Sequence, residues 1–102
     1  MPVKTESVRI CGRWWRVRFL ARVVMDGKRL EGHCDPNTYI IRVAASGDHD
    51  RQAATLRHEL DHAIEFTHPD LTDEDDLTEC RAQCWLQIER DHDWLRRFLR
   101  TT

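Results

Sequence analysis

Two histidines four residues apart enclose a glutamate in the run His58-Glu59-Leu60-Asp61-His62. On a helix, positions four apart share one face with about 5–6 Å between Cβ atoms. Both imidazoles can then hold one ion at Zn–N distances of about 2.0–2.1 Å. Glu59 stands one helical step round, within reach of a water on that ion. Two neutral nitrogen ligands beside a carboxylate are the core of a zinc hydrolase, with Zn2+ as cofactor and Glu59 as general base toward metal-bound water. The inert alternative is a solvated helix face that happens to carry histidines and acids. Ala53, Leu56, Leu60, Ala63 and Ile64 recur at helical spacing through the same segment, which gives it a core-facing stripe and favours the metal reading.

Such a site needs a third protein ligand, and the chain offers three. His68 follows His58 by ten residues, the separation in H-E-x-x-H-x-x-G-x-x-H, but Glu65 stands where that pattern has its turn-forming glycine. A helix continued through Glu65 would carry His68 about 15 Å along the axis from His58. Glu79 follows His62 after enough chain for a turn of helix, a loop and a return, at the border between the apolar and polar faces of the next helix. Asp75 lies on a similar face one turn earlier.

The elements that must position these groups divide into a β half and an α half. Val8 and Ile10, then Trp15, Val17 and Phe19, predict two extended segments joined tightly around Cys11-Gly12-Arg13. Asp26-Gly27 and Asp35-Pro36-Asn37 are turn signals on either side of a weak strand at Leu30 to Cys34. Thr38 to Ala44 reads as the strongest strand, being rich in β-branched and aromatic residues. Ser46 or Asp48 would cap a helix running from near His49 to about Thr67, broken by His68-Pro69-Asp70. Asp73, Glu74, Asp75 and Asp76 begin an acid-rich second helix to about Arg90, and Asp93 to Arg100 forms a short third.

The chain of 102 residues is expected to be a single domain, 1–102, with a modest core. It holds no apolar run that could cross a bilayer, and Met1 to Ser7 do not resemble a signal peptide, so a cytoplasmic location without membrane association is expected. In a reducing compartment Cys11, Cys34, Cys80 and Cys84 read most simply as small buried hydrophobes. Cys80 and Cys84, one helical turn apart, also admit a second metal site. Residues 1–51 hold ten of the 16 Lys/Arg and six of the 18 Asp/Glu, so the half with the histidines is the acidic one. That polarity suits cation recruitment and argues against nucleic acid at the site. Arg13, Arg16, Arg18 and Arg22 alternate with Trp14, Trp15, Val17 and Phe19 in a way that could touch nucleic acid, but a strand with one solvated face explains them more simply.

The run His-Glu-Leu-Asp-His-Ala-Ile, with Ala54-Thr55-Leu56-Arg57 before it, resembles the H-E-L-x-H-A segment of zincin metallopeptidases, including small prophage and archaeal members. Thr78-Glu79-Cys80-Arg81-Ala82 is similar to the second-helix segment that supplies the glutamate ligand in gluzincins, and Tyr39 to Val43 to the strand before the active-site helix. The resemblance covers about residues 30–90. It implies an α+β, zincin-like fold: a small twisted N-terminal sheet packed on the active-site helix, then a second ligand-bearing helix and a short C-terminal one. It implies His58, His62 and Glu79 as zinc ligands and a peptide or protein substrate lying along an exposed sheet edge. Gln83 stands where larger thermolysin-like enzymes carry an aspartate four residues after the glutamate. His33, His68 and Tyr39 are candidates for the oxyanion donor, with nothing in the sequence to separate them. Two other classes fit the same residues: a degenerate metal-binding regulatory module, and a protease docked on nucleic-acid complexes through the Arg/Trp segment.

Overall fold

The β half begins with a hairpin whose turn is set by two adjacent residues of positive φ, Cys11 (50°) and Gly12 (85°). Two such residues give a turn whose twist matches that of the flanking strands. In the computed structural model, which describes residues 2–100, this turn joins β1 (Pro2–Ile10) to β2 (Arg13–Leu20). Along β2, Trp15, Val17 and Phe19 are buried, while Trp14 and Arg16 are exposed. The alternation is that of a strand with one solvated face, as its period of two requires. Asp26 and Gly27 make a second turn of the same kind, between β3 (Val23–Met25) and β4 (Lys28–Leu30).

β5 (Gly32–Asp35) and β6 (Ile40–Ala44) complete a four-stranded mixed sheet in the order β1-β2-β6-β5. β6 runs parallel to β2 and antiparallel to β5, which leaves β5 at the sheet edge. Two boundaries differ from those read in the sequence. The weak strand at Leu30 to Cys34 is split, so that Leu30 ends the small hairpin and Gly32 starts the edge strand. The strong strand begins at Ile40 rather than Thr38, because the Asp35 carboxylate accepts from the Asn37 N–H and the Thr38 hydroxyl, both at 2.9 Å. That turn draws Thr38 out of the ladder, and Tyr39 follows with φ 57°.

Three helices cover one face of the sheet. α1 (His49–Thr67) starts where the Asp48 side chain accepts from the Arg51 N–H, at 2.8 Å. Asp73 caps α2 (Glu74–Asp91) by accepting from the N–H groups of Asp75 and Asp76. Each cap satisfies amide donors that have no partner within the helix. His92 separates α2 from α3 (Asp93–Leu99). The core joins Val8, Ile10, Trp15, Val17, Phe19, Ile41 and Val43 to Ala53, Leu56, Leu60, Ala63 and Ile64 of α1, and to Ile88, Leu95 and Leu99. The stripe read on α1 is therefore its buried face. No helix among the described residues is long and apolar enough to cross a membrane.

Candidate functional site

α1 runs beneath the edge strand and comes close to it at Gly32. A methyl group on Gly32 would stand 2.6 Å from Thr55 Cγ2 and 3.0 Å from Glu59 Oε2. Only a residue without Cβ lets backbone pass so near a helix. Glu59 is accordingly 8 % exposed although charged, held between its own helix and β5. Cys34, two residues along β5, has its thiol pushed up to about 12, first by burial and then by the negative charges of Glu59 and Asp35.

His58 and His62 lie on the solvent side of the same helix. Their Nε2 atoms are 3.0 Å apart, and the rings meet edge to face. One ion at about 2.0–2.1 Å from both nitrogens would subtend about 95°. The donor pair therefore fits a single metal. His58 and Glu59 also line a cleft of about 370 Å³ against Leu30, Glu31 and Gly32 of the neighbouring strand segments, with Arg51, Ala54 and Thr55 on the helix side. The cleft thus joins the sheet edge to His58 and Glu59.

Glu79 stands apart from this pair. Trp85 Nε1 donates to Asp61 at 2.7 Å, and Arg81 pairs with Glu65, so α2 runs antiparallel to α1 with residue 86 level with residue 60. Glu79 is then level with Thr67, about 10 Å along the axis from the midpoint of the histidines at 1.5 Å per residue. Its exposed side chain lines a groove with His68, Cys80, Gln83 and Cys84 instead. Spacing along the sequence could not reveal this offset, which is set by the Trp85–Asp61 and Arg81–Glu65 contacts. Asp75 is exposed on the first turn of α2, farther still from the histidines.

His68 caps α1 and belongs to another constellation. Among the described residues, the one group of three metal-ligating side chains with donor atoms within 4.8 Å of one another is Cys11, His68 and Cys84, a cluster that could bind a metal ion. The reading of the cysteines as small buried hydrophobes needs correction here: Cys11 is exposed, and Cys34, Cys80 and Cys84 are half-buried. The sequence missed the cluster because Cys11 and Cys84 are 73 residues apart and only the packing of α2 on β1 joins them.

None of the three oxyanion candidates faces the cleft. Gly32 and Cys34 point towards α1, so His33 between them projects from the opposite side of β5. Tyr39 packs edge-on to Trp15 and beneath the Arg13 guanidinium. Gly32, which sequence reasoning did not single out, carried a legible signal as an isolated glycine at the start of a strand. Comparison of the chain with protein-family models, curated proteins and solved structures gave no match.

Proposed function

We propose that the chain is a zinc-dependent peptide hydrolase of zincin-like architecture, acting in the cleft between β5 and α1. The observation that carries the reading is the pairing of two imidazole nitrogens 3.0 Å apart with a carboxylate one residue on, all beside an open sheet edge. His58 and His62 would hold the metal, which when bound supplies Lewis acidity and lowers the pKa of water toward about 7. Glu59 takes a proton from the attacking water and returns it to the leaving amine. Its position between helix and strand limits the directions in which the carboxylate can point. β5 offers unpaired backbone groups on its outer side, and an extended peptide can add to it as a further strand.

The third protein donor distinguishes two readings. Glu79, the residue implied by the resemblance, would need α2 to slide along α1 by about two turns before meeting the histidines. The second reading, a metal-binding module without peptidase activity, takes the pair as packed, with no third donor beside the two histidines among the described residues. Site-resolved titration separates metal binding at this pair from binding elsewhere. Adding zinc while following the imidazole resonances of His58 and His62 should perturb both rings together, at a common midpoint. Two unperturbed rings at saturating zinc would sink both readings. Perturbed rings without peptide cleavage would select the second.

A further inference from the structure

We propose a second metal site, independent of the histidine pair, in which Cys11, His68 and Cys84 bind a soft divalent ion such as zinc and clasp three segments of the fold. The donors come from the turn between β1 and β2, the C-terminal cap of α1, and the middle of α2. The sulfurs of Cys11 and Cys84 are 2.9 Å apart, and a nitrogen of His68 lies within 4.8 Å of both. Zinc takes such thiolate and imidazole donors tetrahedrally, at about 2.3 Å for sulfur and 2.0–2.1 Å for nitrogen. Two sulfurs at about 2.3 Å on a tetrahedral ion stand about 3.8 Å apart, so loading the site needs Cys11 and Cys84 to part from their 2.9 Å separation by side-chain adjustment.

The His68 ring is held at the end of its own helix. Its Nδ1 lies 3.1 Å from the Ile64 carbonyl, an acceptor for an Nδ1–H. The Thr67 hydroxyl donates to the same carbonyl at 2.7 Å and can accept from Nδ1 at 2.8 Å. A neutral ring that donates there keeps the Nε2 lone pair for a metal. Metal-bound histidines commonly show this arrangement, with the other ring N–H given to a carbonyl. Cys80, one turn before Cys84 in the same groove, is the nearby thiol that would complete a Cys₃His set.

Cobalt(II) tests the site, because thiolate ligation gives a near-ultraviolet charge-transfer absorption that a nitrogen and oxygen site lacks. Reduced, metal-free full-length protein titrated with cobalt should develop this absorption at one equivalent. Cys11→Ser and Cys84→Ser should each weaken the binding at least about tenfold, whereas His58→Ala should leave it intact. Cys11 is exposed in a turn, so its serine variant is expected to fold, and circular dichroism checks it. Absence of the absorption in folded, reduced protein would overturn the proposal, as would an absorption indifferent to Cys11→Ser. Unchanged affinity in Cys80→Ser would remove Cys80 from the ligand set.

Discussion

Substitution of Gly32 by alanine probes the contact on which the cleft geometry depends. The added methyl would lie 2.6 Å from Thr55 Cγ2 and 3.0–3.1 Å from Glu59 Oε2 and Cγ. The first distance is well inside van der Waals contact, and Thr55 is β-branched on a helix, where its χ1 is restricted. Either β5 or the Thr55 rotamer must move, and overpacking of this kind costs about 1–3 kcal/mol. Thr55→Ala removes the clashing methyl while leaving the Glu59 contacts, which are tighter than ordinary but can be relieved by a shift of a few tenths of an ångström. The double variant Gly32→Ala/Thr55→Ala should therefore be more stable than the sum of the two single effects, by about 0.5–2 kcal/mol of coupling. Urea denaturation of the four proteins, compared at constant m-value, measures this directly. If Gly32→Ala is as stable as the parent, or if the two substitutions are additive, β5 does not pass over α1 as described.

Three further outcomes are expected. Leu60 is fully buried, and Leu60→Asp should abolish the folded state by circular dichroism, since an unpaired buried charge costs several kcal/mol out of a total of about 5–15; a well-folded variant would mean that α1 faces the other way. His92 is nearly buried, accepts the Arg9 N–H at Nε2 (2.9 Å), and is held below the ordinary histidine pKa by burial against an opposing pull from Asp91. The unfolded chain then binds a proton near pH 6.5 that the folded chain refuses, so stability falls as pH drops below 6.5, and His92→Gln should flatten that slope in urea titrations across pH 5–7. Glu79→Ala should leave zinc affinity at the histidine pair nearly unchanged in a chelator competition followed through the His58 resonance, whereas a loss of tenfold or more would show that α2 rearranges to bring Glu79 to the metal.

Most of the secondary structure was legible because local signals agreed with one another. The α1 stripe, a cap at Ser46 or Asp48, the acid-rich start at Asp73 to Asp76 and the Pro69 break all point to the observed helix limits. The alternation of Arg and apolar residues on β2 gave the correct solvated face. The α+β class followed, but the parallel pairing of β2 with β6 did not, because pairing partners leave no local trace in one sequence. At the candidate site, the pairing of His58 with His62 was legible since four residues is one helical turn. The displacement of Glu79 and the meeting of Cys11 with Cys84 were not, because both depend on how α2 docks. Glycine at position 32 lies between these cases: the residue signals a close approach but does not name what approaches.

Whether Glu59 works as a base beside a metal held by His58 and His62 is read from cleavage of a library of unstructured peptides by zinc-loaded protein and by its Glu59→Gln variant. The amide keeps the shape and the helix while losing the base, and general-base catalysis is worth about 10²–10⁴-fold. The parent should cleave, Glu59→Gln should lose activity by that factor, and the His58 and His62 resonances should respond to zinc unchanged. Parent and variant cleaving at equal rates would contradict that role for Glu59.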